Sequence, residues 1–357
     1  MADHVNIKKL GASHGIVVGL RSENLEVWEK LSGRIPYLPV AYSNSSIDFQ
    51  WAYQRGHGGD WQDLSIVVYW DHQPIGIWPL SFSTKEGRGL LSSHGLAVHP
   101  PLLVADCAAT VRKRVTKSCL KIADAIAMDT GISSWESGES FTDSYGLSNW
   151  HKASMASGAS CKITHDLFID LTLSLEEIKG GFRKSYKSLV TSGTQHWMVS
   201  VLDTANESAW NQFRELHLSV SGRKTRSDET WSIHQRDITE QRGFLVYLLN
   251  NSGGMDGGGF FNFTQDEGVY GVGAYKRELF DKPLGHVVQY RAIEELKNRG
   301  VRWYKVGQRP YASETPQPSD KEISIGDFKE GFASHMFPRF GLTHLVGEPK
   351  MLENKDS

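Results

Sequence analysis

Four stretches in the second half of the chain carry side chains whose types and spacing suit chemistry on an anion or an activated carbonyl. In the first, Lys179, Arg183 and Lys187 recur every four residues with Lys184 beside them, a basic stripe on one face of a helix. Such a stripe can hold phosphate or can simply be a solvated face. In the second, Arg223, Lys224 and Arg226 crowd the run LHLSVSGRKTRSDETW, which ends at Trp231. Guanidinium forks bind phosphate or carboxylate bidentately, and an indole stacks on a base or sugar ring. In the third, PLGHVVQYRAIEELKNRG passes Pro283 and Gly285 into a helix whose first amides suit an anion or a developing oxyanion. His286 stands there as candidate base or donor, with Gln289 and Tyr290 one turn on; capping or packing is the plainer account of a lone His. In the fourth, IGDFKEGF sets Lys329 between Phe328 and Phe332. That cation can meet a developing negative charge, or it is a lysine snorkelling from a strand.

Other chemistries lack their signatures. There is no G-x-x-x-x-G-K-[ST] loop, no H-E-x-x-H and no Cys/His spacing of the kind that binds metal. A net charge of −2 gives no global pull toward polyanions, so any phosphate or nucleic-acid contact must be local.

The elements that must position these residues repeat. Val111, Val115, Cys119, Ile122 and Ile126 mark an amphipathic helix over 108–128, preceded by strand-like runs at 65–70 and 75–82 and followed by ISSWE. The second half gives FLVYLL, GFFNFT, VYGVGAY, the helix HVVQYRAIEELKNR and VRWYKV in the same order, offset by about 180 residues, and short helices around Trp28 and Trp210 open each half. This predicts a tandem duplication of a mixed α/β unit, with domains 1–165 and 166–357. Between the halves, HDLFIDL reads as a strand, and the capping box Ser174/Glu177 opens a helix of about four turns reaching residue 190. The run NNSGGMDGGG reads as a flexible hairpin loop, and the polar stretch 346–357 is expected to fray.

With 39% hydrophobic residues and no run near the ~20 apolar residues that a span needs, the chain is expected to be soluble. MADHVNIKKLGASHG has no apolar core of secretory length, which predicts a cytoplasmic protein. Cys107, Cys119 and Cys161 are expected to be buried free thiols.

The succession HDLFIDLTLSLEEIKGGFRKSYKSLV, FRELHLSVSGRKTR, GVYGVGAYKRELFDKPLGHVVQYRAIEELKNRGVRWYKVGQ and IGDFKEGF resembles the Fem-type aminoacyltransferases of the GNAT-like acyltransferase superfamily, over roughly residues 165–335. The resemblance implies two GNAT-like domains in tandem and an α/β (α+β) class, with mixed sheets flanked by helices. It implies transfer of an acyl or aminoacyl group to an amine of a cell-envelope or surface-polysaccharide precursor. The donor would be aminoacyl-tRNA or acyl-CoA, with no tightly bound cofactor. Phe328 and Lys329 would sit near the donor's phosphates and reacting ester. Lys187, Arg183, Arg223 and Arg226 would hold an anionic part, in a cleft shared with Lys329. Tyr290 or Tyr275 would orient the amine, and Trp231, Gln289 and Gln308 complete the substrate-binding set. The Gly-rich pyrophosphate loop of acetyl-CoA enzymes is absent, which weighs against a CoA donor, and no heptad pattern is sustained, which points to a surface-sugar or small-amine acceptor. Two further readings stay open: an acyl-CoA-dependent N-acetyltransferase of an amino sugar or amino acid, and a non-catalytic module that binds a nucleotide sugar or tRNA.

Overall fold

In the computed structural model, which describes residues 5–139, 141 and 146–347, apolar alternation in the strands and three-to-four spacing in the helices set the layers. The first half runs α1 (Ile7–Ser13), β1 (Val17–Leu20), α2 (Leu25–Ser32), α3 (Asn44–Arg55), β2 (Asp60–Asp63), β3 (Ile66–Trp70), β4 (Gln73–Trp78), β5 (Ser81–Lys85), β6 (Arg88–Ser92), β7 (Leu102–Leu103), α4 (Ala109–Asp129), β8 (Ser134–Gly138) and α5 (Asn149–Ala156). The second runs β9 (Ser160–Asp170), α6 (Leu175–Gly181), α7 (Lys184–Gly193), β10 (Met198–Leu202), α8 (Glu207–Ser221), α9 (Asp228–Thr239), β11 (Gly243–Leu249), β12 (Met255–Phe263), β13 (Glu267–Tyr275), α10 (Leu284–Asn298), β14 (Trp303–Gln308), α11 (Asp320–Glu330) and β15 (His335–Leu345).

Each half places a sheet between two helical layers. In β3, Ile66 and Val68 pack with Val115, Cys119, Ile122 and Ile126 of α4, whereas Val67 faces Trp28 and Leu31 of α2. In β11, Phe244, Val246 and Leu248 face Val288, Ala292 and Leu296 of α10, whereas Leu245 faces Trp210 and Phe213 of α8. Each such side chain contributes roughly 1.5–3 kcal/mol by leaving water.

The duplication is present in the topology. Strand order β1-β3-β4-β7, with a parallel bridge from Val98 to Ser137 of β8, matches β10-β11-β12-β13, with β13 parallel to β14. Helices α4 and α10 are the corresponding crossovers. Strand β9 extends β14, β15 extends β8, and β9 and β15 pair with each other, so both sheets are joined edge to edge. The division expected between residues 165 and 166 therefore falls inside β9. Across the seam, Glu267 accepts from Val40 N and Tyr37 Oη at 3.0 Å each, and Asp266 accepts from Leu38 N at 2.9 Å. Around them Tyr37, Phe168 and Trp303 form a buried cluster.

Several expectations need correction. The helix expected from Ser174 to residue 190 breaks after Gly180–Gly181: Phe182 and Arg183 are extended (ψ 151° and 135°) before α7 begins. Two adjacent glycines forfeit helix stability, and the break lets Phe182 turn into the core. The run 75–82 divides at Pro79 into β4 and β5, which belong to different sheets. Of NNSGGMDGGG only the first part turns, and Met255–Gly259 is buried strand. The Lys329 segment is helical, opened by a Ser319/Glu322 capping box. Cys119 is buried on the inner face of α4, but Cys161 is exposed near the start of β9 and Cys107, in the turn before α4, is only partly covered. Among the described residues no helix is long and apolar enough to cross a membrane. The stretch expected to fray lies, from residue 348 on, outside the described residues.

Candidate active site

Strands β13 and β14 pair in parallel only from Glu267 to Val269 against Trp303 to Lys305. Beyond that point β13 follows β12 and β14 follows β9, so the two diverge and a wedge opens between residues 270–275 and 306–308. Tyr270 and Tyr275 stand on its β13 side with their hydroxyls 3.2 Å apart. They fit because β12 presents glycines there. A Cβ at Gly257 would lie 2.7 Å from the Tyr275 ring, and one at Gly259 would lie 2.7 Å from that of Tyr270. Burial raises the Tyr270 hydroxyl to about 12 and Tyr275 further, so both are neutral hydrogen-bonding groups at neutral pH.

On the β14 side the register shifts between Lys305 and Gly307, and Gly307 takes φ 141°, a conformation that favours glycine. The Lys329 side chain lies directly over this glycine: an added Cβ would overlap Nζ and approach Cε to 3.1 Å. Burial lowers the Lys329 ammonium below the ordinary lysine range, and the Asp166 carboxylate draws it partly back. Asp166, 1% exposed, has Lys305 Nζ 2.7 Å from Oδ2, a pair held by charge and distance although its angles do not make a hydrogen bond. Lys305 and the Glu267 carboxyl flank Asp166 deeper in, and Lys329 brings a second ammonium to the mouth of the wedge.

His286 sits in the first turn of α10, boxed by Tyr186, Phe328 and Phe332 at ring separations of 4.4, 5.1 and 5.9 Å. Gly285 admits the Phe328 ring, which a Cβ would meet at 3.1 Å. Among the described residues Nε2 has no hydrogen-bond partner, being enclosed by these rings; no side chain caps α10, and Leu284 N donates to the Lys282 carbonyl at 2.9 Å, which leaves the next amides of the first turn for a ligand. Burial pushes His286 down to about 4, which makes it neutral at pH 7 and a weak base. Tyr290 lies one turn on, with Phe182 6.1 Å away and Lys179 Nζ 5.4 Å above its ring, and burial raises its hydroxyl.

This architecture can be placed among solved structures. FemX superposes with a TM-score of 0.63 at 13% identity, covering 88% of this chain and 95% of that one. The L-PGS of Bacillus licheniformis gives 0.58 at 12% identity, with 91% and 93% covered. A tandem GNAT protein from the clavulanic acid biosynthesis pathway gives 0.50 at 14%, with 94% and 99% covered. The chain shares the fold of these structures, two GNAT-like domains in tandem. No protein-family model and no curated sequence matches it.

Within this fold the expected site residues separate into two groups. His286, Phe328, Lys329 and Tyr275 gather at the wedge, and Gln308 ends β14 beside it. Arg183 reaches the rim, donating from Nη2 to the Asp327 carbonyl at 3.1 Å with its guanidinium 5.2 Å over Tyr186. The rest are elsewhere, so the single cationic cleft expected of Lys187, Arg223 and Lys329 is not formed. Lys187 donates to the Gly180 carbonyl at 2.7 Å, because the break after Gly181 turns it back onto α6. Arg223 is exposed past the end of α8. Arg226 and Trp231 lie on the opposite, α8–α9 face of the sheet, where Arg226 stacks on Phe49 at 5.3 Å and Trp231 at 5.9 Å. Trp231 is buried against Trp210 and Phe213 and leaves no face for a base or sugar. Gln289 is buried, accepting from Tyr304 Oη at 2.6 Å, and is a core residue rather than a substrate contact.

Sequence reasoning missed Asp166, Lys305 and Gly307. The alternation of HDLFIDL could have flagged Asp166 as an acid at a buried position. The run GASHG (11–15) matches a G-x-S-x-G pattern, but it closes α1 and Ser13 donates to the Leu10 carbonyl, so it forms no nucleophile elbow. Among the described residues no three His, Cys, Asp or Glu side chains are grouped to hold a metal ion.

Proposed function

We propose that the protein is an acyl- or aminoacyltransferase whose second half, residues 166–357, carries the reaction and whose first half, 1–165, completes the scaffold. The acceptor is an amine of a cell-envelope or surface-polysaccharide precursor, or a related small molecule, reached from the cytoplasm. The donor is an activated ester or thioester, aminoacyl-tRNA or acyl-CoA, bound for each turnover. Solved structures of like fold are named FemX, L-PGS and, with mention of AcCoA, tandem GNAT protein, which supports group transfer and leaves both donor classes in play.

The observation that carries this reading is the half-buried Lys329 ammonium held over Gly307 at the mouth of the wedge, beside the uncapped start of α10. With a donor carbonyl in the wedge, the amine nitrogen bonds to the carbonyl carbon and the carbon–oxygen or carbon–sulfur bond to the carrier breaks. The proton leaves with the carrier oxygen or sulfur. Lys329 and the α10 amides stabilise the oxygen as it becomes negative, and fixed donors in a water-poor site are worth most there. Tyr275 holds the incoming nitrogen. His286, a weak base at about 4, acts as a neutral imidazole donor rather than as the base.

The test pairs binding with turnover. Acetyl-CoA and an aminoacyl-tRNA are each screened by thermal shift and then incubated with a panel of amino sugars and amino acids. The expected result is one donor that raises the melting temperature and supports transfer, with Lys329→Ala lowering kcat by ~10²–10³. A folded Lys329→Ala protein with unchanged kcat, or no donor effect at all, overturns the reading.

A further inference from the structure

We propose that the hollow between α1 and α4, in the first half, is an anion site for a phosphate ester bearing two or more negative charges. This goes beyond the transferase reading and does not depend on it.

The hollow measures about 370 Å³, and Lys113, Arg114, Lys117 and Lys121 project around it. No carboxylate lines it. The three lysines recur every four residues along α4, so their bases are about 6 Å apart along the axis. Like charges at that spacing destabilise a helix. Elsewhere the fold neutralises such groups: Arg291 pairs with Glu294 and Glu295, Arg299 with Asp203, and Arg309 with Asp327 and Glu330. Among the described residues Lys113, Arg114, Lys117 and Lys121 pair with no carboxylate, and the Trp70 ring under Arg114 leaves their charge in place.

The walls are built as well as charged. The Arg114 guanidinium rests 5.0 Å over the Trp70 ring, which fixes its plane. Ser118 Oγ donates to the His14 carbonyl at 2.7 Å and ties the end of α1 to α4. Thr110, in the first turn of α4, adds a hydroxyl to the lining.

The position has meaning in the duplicated topology. Helices α1 and α4 correspond to α7 and α10, which flank His286. There the seam is shut, because Gly193 sits so close to Val287 and Pro283 that a Cβ would meet the Pro283 ring at 3.1 Å. In the first half α1 and α4 also meet, tied by Ser118 and His14, but the groove along the outer side of that seam is lined by cations. A monovalent carboxylate would leave most of that charge unmatched, whereas a phosphomonoester offsets about half of it and a diphosphate nearly all.

Isothermal titration of the full chain with sodium pyrophosphate at low ionic strength tests the site, and needs no acyl donor, so it succeeds or fails apart from the transferase reading. The expected result is saturable binding that weakens with added salt. The variant Lys113→Gln/Lys117→Gln/Lys121→Gln should bind ~10²–10³-fold more weakly, roughly tenfold per charge-assisted contact. All three lysines are exposed, so an unchanged melting curve is expected of the variant. Sedimentation with vesicles of phosphatidic acid, whose headgroup is a phosphomonoester, in phosphatidylcholine separates the two sources. Pyrophosphate binding without vesicle binding assigns a free phosphate ester. Vesicle binding that the triple variant loses and pyrophosphate displaces assigns a lipid headgroup. Equal pyrophosphate affinity in wild type and triple variant, or wild type that binds neither probe, overturns the proposal.

Discussion

Gly307→Ala perturbs the reacting end of Lys329 without removing it. In the native wedge Gly307 holds φ 141° and lies directly beneath the lysine side chain. A Cβ there would lie 3.1 Å from Cε and 3.2 Å from Cδ and would overlap Nζ. Restoring ordinary carbon contact moves the ammonium roughly 1 Å. A displacement of that size at reacting atoms costs about 10²-fold in rate. The backbone adds a separate charge on stability of about 1–3 kcal/mol, because an alanine is strained at this φ. The assay is single-turnover transfer from whichever donor supports the reaction, with urea denaturation alongside. The cycle with Lys329→Ala separates the two effects. Once Nζ is gone, Gly307→Ala has nothing left to displace and should cost little further rate, while its stability loss persists. A Gly307→Ala substitution that slows the Lys329→Ala enzyme by the same ~10²-fold would refute the reasoning.

Three further outcomes follow from buried groups. Lys305→Met leaves the Asp166 carboxylate buried without its cation and should cost about 3–5 kcal/mol in urea denaturation; adding Asp166→Asn should return part of it, and a near-neutral single variant would contradict this. Phe332→Ala empties a site that is 1% exposed, behind His286 and Tyr186, and should cost about 3–5 kcal/mol by the same measurement. His99 is buried and held down to about 3, so between pH 6.5 and 3 the unfolded chain takes a proton that the native ring refuses. Stability from this group is whole above about pH 6.5 and is lost as pH falls, by about 2 kcal/mol at pH 5. His99→Phe keeps the stack on Tyr42, 5.4 Å away, and should lose about 2 kcal/mol less than wild type between pH 7 and 5; parallel pH profiles would contradict it.

Periodic elements were legible from the residues alone. Val115, Cys119, Ile122 and Ile126 repeat at helical spacing and become the buried face of α4, and the run from His286 becomes α10 for the same reason. The repeated order of strands and crossover helices foretold the duplicated topology. Local composition misled where glycine serves a neighbour rather than the backbone. Gly257 and Gly259 read as loop, yet they sit in β12 because Tyr275 and Tyr270 occupy the space their side chains would need. Gly180–Gly181 ended a helix that side-chain period alone would have continued. At the site, Lys329 was visible because aromatic residues flank it, whereas its partners were not. Asp166 lies in β9 and Lys305 in β14, and only the register between those strands brings them together. Arg226 stacks on Phe49 of the other half, a contact no local pattern encodes.

A crystal structure with a donor analogue, the ester or thioester replaced by an uncleavable ketone, tests the central claim most directly. The account predicts the acyl carbonyl oxygen in the wedge between β13 and β14, within hydrogen-bonding distance of Lys329 Nζ. A bound analogue whose carbonyl lies away from Lys329, on the α8–α9 face or in the first half, would contradict it.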